Sequence, residues 1–282
     1  MELELKKECL DTYELGEPQT LTQEETAETI VPDYCPDIAR IISAEGVVYL
    51  HGGAEQDGVT GTVRVTVLYT PENESGVRAL EFAMPFSAQG EGLAGCAHVV
   101  VETEIELLES RMLNPRKIFT RCKLVTHLAG CRKVCLTISS DAETDPALLV
   151  EKRCCGQTVS LLRQVVEKDL TFSETMSLSL GREGAAELLH CRANGIVTET
   201  KAIGNKLIFK GVFLVSALYR TTGGQLASAS AELPFSQIME TDSAEENTQV
   251  SMRLRITGAD IQIDGSDDEG RQLAVTVYYH TM

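Results

Sequence analysis

The sequence predicts a mainly β protein of two tandem antiparallel β-sandwich-like modules, each with a short helix. Three observations lead to this prediction. Runs rich in β-branched residues alternate apolar and polar side chains, as half-buried strands do. Turn residues such as Pro, Asn and Gly separate these runs. Finally, one pattern of segments occurs twice along the 282 residues, a length that suits two domains.

The clearest repeated unit is a strand, a turn and a second strand. Gly61–Tyr69 reads GTVRVTVLY and Gly211–Tyr219 reads GVFLVSALY, and turn residues follow both segments. The second strand ends in MPFS at Met84–Ser87 in one copy and in LPFS at Leu233–Ser236 in the other. Because proline cannot donate a hydrogen bond to a neighbouring strand, we expect it at the strand end.

The similarity extends to both sides of this unit. Before this unit, each copy has a segment that predicts a short helical turn, then a glycine, then a strand, and Gly46 in the first copy matches Gly195 in the second. The matching segments are Ile38–Val48 with Ala186–Val197, Val99–Leu108 with Val250–Ile256, and Arg116–Ile118 with Arg271–Leu273.

The repeat divides the chain into a module at residues 1–140, a linker at 141–156 and a module at 157–282. We expect the second module to lack the last strands of the first, because Met282 aligns with a position before the strand at Cys131–Ile138. The segment Leu161–Leu170 is compatible with either a strand or a helix.

The charge and the apolar runs exclude some classes of partner. The formal net charge is -17, and such an acidic surface repels phosphate backbones, so we expect no nucleic-acid partner. The acidic surface serves either solubility or a basic partner. Apolar runs such as Val63–Leu68 are far shorter than a membrane span, and the N-terminal residues do not read as a secretory signal.

Three motifs resemble a known family. They are ETIVPDYCPDIARII at Glu28–Ile42, LNPRKI at Leu113–Ile118, and the strand ending in Leu-Tyr that is closed by Pro-Phe. Together they resemble the SPOCS domain, which occurs in tandem in the SipL-like spore coat morphogenesis proteins of spore-forming Firmicutes. The first copy keeps Val-Pro-Asp-x-x-Pro-Asp-Ile, whereas Leu178–Gly184 replaces it in the second.

The resemblance implies a non-enzymatic scaffold of the spore coat that acts through protein–protein contacts. It implies spore coat morphogenetic proteins as partners, including the coat-basement ATPase SpoIVA, with self-association as a further mode. It implies a location in the mother-cell cytoplasm, at the forespore surface. Many family members carry a LysM module, and this sequence ends before any such segment.

Two other classes of function are compatible with the residues. A β-module that binds cell-wall glycan or another carbohydrate would use aromatic platforms, for which Tyr34, Tyr49, Tyr69 and Tyr219 are available although Trp is absent. A hydrolase would use Asp33 or Cys154. The resemblance favours the scaffold over both.

The best candidate metal ligands are Cys122, His127, Cys131 and Cys135, because zinc takes four N or S ligands. However, two residues four apart on a strand lie about 13 Å apart at roughly 3.3 Å per residue, which is too far to share a metal ion. We therefore interpret them as ordinary strand cysteines. The nine cysteines are odd in number and irregularly spaced, which predicts reduced thiols.

Two further groups have a reactive and a structural interpretation. Cys154 and Cys155 lie next to Lys152 and Arg153, whose charges would lower a thiol pKa, but exposed linker thiols are the simpler interpretation.

The DYCPD motif offers Asp33 and Asp37 as an acid–base pair. Alternatively the two carboxylates mark the start of a helix, with Pro36 at its first position. We favour the helix start.

The remaining candidates are weaker. The acidic run Asp264–Gly270 is similar to a calcium-binding loop but lacks flanking helices, so a hairpin turn is preferred. The histidines form no recognisable metal motif and are His51, His98, His127, His190 and His280. The sequence therefore predicts no catalytic, cofactor-binding or metal site, and no cofactor.

Overall fold

The computed structural model describes residues 4–55, 58–143, 151, 153, 156, 158–178, 183–242, 248–265 and 270–282. Within these residues the chain forms β-strands and no helix, which confirms the mainly β prediction and corrects the expected short helices. The strands of the first half are β1 (Glu4–Leu15), β2 (Gln19–Ile30), β3 (Ile38–Glu55), β4 (Gly58–Pro71), β5 (Arg78–Gln89), β6 (His98–Asn114) and β7 (Lys117–Glu143). Those of the second half are β8 (Lys168–Ser177), β9 (Ala185–Ile203), β10 (Lys206–Thr221), β11 (Leu226–Glu240), β12 (Leu254–Ile263) and β13 (Gln272–Thr281).

Each half contains two antiparallel sheets. In the first half, β3, β4 and β5 form one sheet, and β7 is the centre of the other. The strands β1 and β2 lie end to end along one side of β7, and β6 pairs with its other side. In the second half, β9, β10 and β11 correspond to β3, β4 and β5, while β8, β13 and β12 correspond to β2, β7 and β6. In both halves an edge strand of one sheet lies beside an edge strand of the other: β3 lies beside β6, and β9 lies beside β12.

Two separate hydrophobic cores fill these pairs of sheets. The first core contains Val63, Val65 and Val67 from one face of β4, which the alternation in the sequence predicted. The second contains Phe213 and Val215 from the corresponding face of β10. No residue in the described part of the chain belongs to both cores, so each half has its own apolar interior.

Three β-bulges recur at corresponding positions of the two halves. A bulge inserts an extra residue into one strand, so that two residues face one on the partner strand. Two bulges lie at the start of β3 and of β9, and one lies in β6 and in β12. The extra residues are Ala39, Ile42 and Glu106 in the first half and Ala186, Leu189 and Thr257 in the second.

These bulges explain why the predicted helical turns are wrong. Residues 38–42 and 186–189 lie in strands, but the extra residues interrupt the alternation of apolar and polar positions. The result is an apolar spacing that is similar to that of a helix. The register also corrects the match of Gly46 with Gly195, because Gly46 pairs with Val65 whereas Ala193 pairs with the corresponding Val215.

The Pro-Phe motif lies inside an edge strand. The sequence had predicted it at a strand end, and this prediction is wrong. Pro85 pairs with Thr62 and Phe86 with Gly61, and β5 continues beyond them to Gln89. Edge strands tolerate proline because one side of the strand carries no ladder hydrogen bonds. The phenylalanine ring covers the glycine, since a Cβ atom on Gly61 would lie 2.5 Å from Cζ of Phe86.

Candidate functional site

The guanidinium of Arg116 is the centre of a clamp on the Val-Pro-Asp-x-x-Pro-Asp segment. Its Nη1 donates to the carbonyl oxygen of Cys35 at 2.7 Å and to Oδ1 of Asp37 at 3.0 Å. Its Nη2 donates to the carbonyl oxygen of Val31 at 2.8 Å and to Oδ1 of Asp33 at 3.1 Å. A planar guanidinium suits this arrangement because it presents several donors in fixed directions.

Backbone hydrogen bonds bring the two motifs together at this point. The amide of Val31 donates to the carbonyl of Arg116 at 2.9 Å, and that of Ile38 donates to the carbonyl of Pro115 at 2.9 Å. The side chain of Asn114 accepts from the amide of Arg116 at 2.9 Å and shapes the turn between β6 and β7. Two motifs that are remote in the sequence therefore form one structural unit.

The buried Tyr69 donates a hydrogen bond to the same segment. Its hydroxyl donates to the carbonyl oxygen of Pro36 at 3.2 Å. Burial, together with the nearby thiol of Cys35, raises the pKa of Tyr69 to about 12. The hydroxyl consequently stays protonated and remains a hydrogen-bond donor at neutral pH.

Tyr34 lies at the tip of this fixed segment. Its side chain is 88% exposed, whereas those of Val31 and Ile38 at the two ends of the segment are fully buried. The clamp thus presents an aromatic ring to solvent on a loop whose two ends are anchored.

The second half repeats the backbone part of the clamp. The amide of Leu178 donates to the carbonyl of Arg271, and that of Ala185 donates to the carbonyl of Gly270, both at 2.7 Å. The positions that correspond to Asp33 and Asp37 hold Leu180 and Gly184, so the carboxylate pair belongs to the first half alone.

The interpretation of Asp33 and Asp37 as a helix start is wrong. The segment makes a turn and enters β3 at Ile38, and both carboxylates face Arg116. The sequence did not single out Arg116 as a site residue, although it is a member of the LNPRKI motif. No local signal connects Arg116 with carboxylates about eighty positions away, so the spacing in the sequence could not reveal the contact.

The four candidate zinc ligands do not converge. Cys122 lies in the first core, and burial, followed by Glu25, raises the pKa of its thiol to about 11. His127 is exposed and lies 3.0 Å from the hydroxyl of Thr20. Among the residues that the structure describes, no three His, Cys, Asp or Glu side chains are placed to hold a metal ion.

One cysteine pair departs from the expectation of nine reduced thiols. Cys135 of β7 is joined to Cys9 of β1 in a disulfide with 5.6 Å between the Cα atoms. Spacing could not predict this pair because the two residues are separated by 126 positions. Cys154 and Cys155 lie outside the described residues.

The acidic run behaves as predicted where it is described. Asp264 and Gly270 connect the antiparallel strands β12 and β13, and the amide of Asp264 donates to the carbonyl of Gln272 at 2.9 Å. Residues 266–269 lie outside the described part of the chain. The preferred interpretation as a hairpin turn is therefore confirmed for the two flanking strands.

The two halves meet along a polar interface. Nη1 of Arg64 donates to the carbonyl oxygen of Ala259 at 2.9 Å. Nε2 of His190 lies 3.1 Å from Oε2 of Glu45. Cys191 lies in β9 close to this contact, where burial and the carboxylate of Glu81 raise the pKa of its thiol to about 12.

Comparison with known proteins gives one match. Residues 185–264, from the start of β9 to just after β12, match the family described as SipL, SPOCS domain. No curated protein and no solved structure matches the chain. In the described residues, no helix is long and apolar enough to cross a membrane.

The match lies in the second half, which lacks the Val-Pro-Asp-x-x-Pro-Asp-Ile segment. What the matched residues contain is the strand of Gly211–Tyr219, the Pro-Phe pair at Pro234–Phe235 and the bulges of β9 and β12. This match confirms the resemblance inferred from the sequence for residues 185–264, which are similar to the SPOCS domain of SipL.

Proposed function

We propose that this chain is a non-enzymatic scaffold of the bacterial spore coat. It acts in the mother-cell cytoplasm at the forespore surface, through contacts with other coat proteins and with itself. The observation that carries this proposal is the SPOCS domain at residues 185–264, a family that indicates a role in sporulation.

The use of the polar side chains supports a structural role. The acid–base candidates Asp33 and Asp37 both bind the guanidinium of Arg116. Cys122 is buried in the core with a raised pKa, which disfavours the nucleophilic thiolate. The contacts of Asp33, Asp37 and Cys122 thus support a structural role for these three residues.

The loop around Tyr34 is our candidate for the contact with the coat-basement ATPase SpoIVA. Exposed aromatic residues on rigid supports contribute strongly to binding because they bury a large area at little cost in entropy. Tyr34 has such a support, since Arg116 holds both sides of its loop.

The first test is a binding experiment with purified basement ATPase and the full chain. We expect Tyr34→Ala to weaken capture at least tenfold without a change in the midpoint of urea unfolding. The matched control is Tyr278→Ala, which removes a 46% exposed tyrosine from β13 in the other half and should leave capture unchanged.

The second test is the position of a fluorescent fusion of the chain in sporulating cells. We expect the signal to surround the forespore. A fusion that stays dispersed, together with purified chain that ignores coat-basement proteins, would contradict the scaffold proposal.

The carbohydrate-binding alternative has less support. Of its four candidate platforms, Tyr49, Tyr69 and Tyr219 are buried and only Tyr34 is exposed. Retention of the chain by purified peptidoglycan, with loss in Tyr34→Ala, would favour that alternative over the coat scaffold.

A further inference from the structure

A disulfide joins the first strand of the chain to the last part of β7. Cys9 lies in β1 and Cys135 in β7, with 5.6 Å between their Cα atoms, a separation that a disulfide spans. In the strand register Cys9 pairs with Thr137 and Cys135 pairs with Asp11, so the bond connects diagonal neighbours. The residues Leu10–Leu15 therefore lie between the disulfide and the turn into β2.

Both ends of this stretch of β1 are fixed. At one end Cys9 is held by the disulfide, and at the other the amide of Gly16 donates to the carbonyl of Gly130 at 2.8 Å. Within the described residues, β7 is the only strand that pairs with β1. Without the disulfide the ladder with β7 can open from the Cys9 side, because the cross-link that limits this opening is gone.

The same stretch holds the approach to the second half of the chain. Oγ1 of Thr12 and the amide of Tyr13 both donate to the carbonyl of Leu162, at 3.0 Å and 2.8 Å. The ring centroids of Tyr13 and His98 lie 5.8 Å apart, and Nδ1 of His98 lies 3.0 Å from Oε1 of Glu167. Leu162 and Glu167 precede β8, the first strand of the second half. Through β1, the disulfide is thus connected to the entry into that half.

The disulfide is accessible to thiols from solution. Cys9 and Cys135 are both exposed, whereas the free thiols of Cys122 and Cys131 are buried. Exchange requires that a thiolate reach one of the two sulfur atoms, so access favours reduction and re-formation of the bond.

We propose that the Cys9–Cys135 bond is a reversible redox clip that controls how firmly β1 holds the segment Leu162–Glu167. Two molecules of a small thiol such as glutathione open it. The thiolate of the first attacks one sulfur, and the other cysteine leaves as a thiolate and takes up a proton. The second molecule displaces the first from the mixed disulfide, which yields two cysteine thiols and oxidised glutathione. The reverse reaction closes the clip. This inference does not depend on the proposed coat function.

Hydrogen exchange of the full chain, measured by mass spectrometry, tests the clip. The chain is first treated with oxidised glutathione, and peptide mapping after alkylation should show Cys9 joined to Cys135. After reduction with excess glutathione, we expect exchange in Leu10–Leu15 to become at least about tenfold faster. Exchange in Leu162–Glu167 should become at least about threefold faster, because β1 holds this segment. The strand β10 should exchange at the same rate in both states.

The variant Cys9→Ser removes the bond by substitution. It should exchange as fast in Leu10–Leu15 as reduced wild type, with no further change when glutathione is added. The matched control is Cys35→Ser, at a half-buried free thiol, and it should keep the full response to reduction.

Two results overturn the proposal: Cys9 that does not join Cys135 under oxidised glutathione, and equal exchange in oxidised and reduced wild type. Faster exchange in Leu10–Leu15 with no change in Leu162–Glu167 overturns the control of the second half by the clip. These measurements use the chain alone, so their failure leaves the coat function standing. Conversely, a fusion that stays dispersed in sporulating cells would contradict the coat function without affecting a measured redox response.

Discussion

At the scale of single residues, Arg116 joins the two motifs that carry the family resemblance in the first half. It donates to two carbonyl oxygens and two carboxylates, and its side chain is one-third exposed. The carboxylates of Asp33 and Asp37 therefore offset the charge of a cation that also fixes the backbone. Neither the acid–base nor the helix interpretation of the motif accounts for this contact.

We predict that Arg116→Lys lowers the free energy of unfolding by about 1–2 kcal/mol, because an ammonium group cannot replace the four directed hydrogen bonds. Urea denaturation measures the change. In the control Arg121→Lys, an exposed ion pair with Glu24 is altered, and the loss should stay below about 0.5 kcal/mol. Equal losses in the two variants would mean that the clamp does not stabilise the fold.

The buried thiol of Cys122 should make stability depend on alkaline pH. Its pKa is about 11 in the folded chain and 9.0 as an ordinary thiol, so the unfolded state loses its proton first as the pH rises. The stability that this group contributes is fully present below pH 9 and is lost between about pH 9 and 11.

Urea titrations at pH 8 and pH 11 test this dependence. Relative to wild type, Cys122→Ala should lose less stability between the two pH values, whatever its loss at pH 8. The control Leu124→Ala removes a neighbouring buried side chain without a proton, and it should show the wild-type dependence. Identical pH dependence in wild type and Cys122→Ala would contradict the prediction.

At the scale of elements, the strands that alternate regularly were predictable and the interrupted strands were not. β4 and β10 alternate without a bulge of their own, and the sequence located both together with the turns that follow. β3 and β9 each begin with two bulges, which add residues that belong to neither face. A bulge is set by the partner strand, so the sequence of one strand alone does not reveal it.

The two halves also share a glycine that lies under the phenylalanine of the Pro-Phe motif. A Cβ atom on Gly211 would lie 2.2 Å from the carbonyl oxygen of Ile196 and 2.5 Å from Cζ of Phe235. The match of Gly61 and Gly211 in the sequence thus has a steric cause. The phenylalanine ring needs the space above the glycine, and the neighbouring backbone leaves none for a side chain.

We predict that Gly211→Ala lowers the free energy of unfolding by about 1–3 kcal/mol, as overpacking in a core typically does. Gly61→Ala should cost less, because its nearest backbone contact would be 2.9 Å, at the carbonyl oxygen of Tyr49. Thermal unfolding followed by circular dichroism compares the variants. Gly265→Ala, with no atom of the described residues within 4 Å of the new Cβ, is the control, and an equal loss there would contradict the steric argument.

At the scale of the whole molecule, the two halves each have their own core and meet through polar contacts. The recurrence of bulges, backbone hydrogen bonds and sheet order supports the predicted duplication. The boundaries at 140 and 157 stay a prediction. Contacts such as that of Arg64 with Ala259 join the two halves. A repeat in the sequence does not predict them, because they form between the two copies.

Limited trypsin digestion tests the two-module organisation. Cleavage at Lys152 or Arg153, within the predicted linker, should yield two fragments that keep the β-sheet circular dichroism signal and elute together. Combined with Arg64→Ala, which removes the hydrogen bond to Ala259 and leaves the contact of His190 with Glu45, the fragments should separate more readily on dilution, whereas Arg121→Ala should not change their separation. Loss of the β signal on cleavage would contradict independent cores.

The Arg116 clamp also bears on the order of folding. It connects residues 79 to 85 positions apart, so the chain must close a long loop before the guanidinium meets its partners. Hairpins such as β4–β5 close short loops and can form earlier. Contacts that are made after the transition state mainly slow unfolding. The clamp should therefore act as a late-closing latch that prolongs the lifetime of the folded state without accelerating its formation.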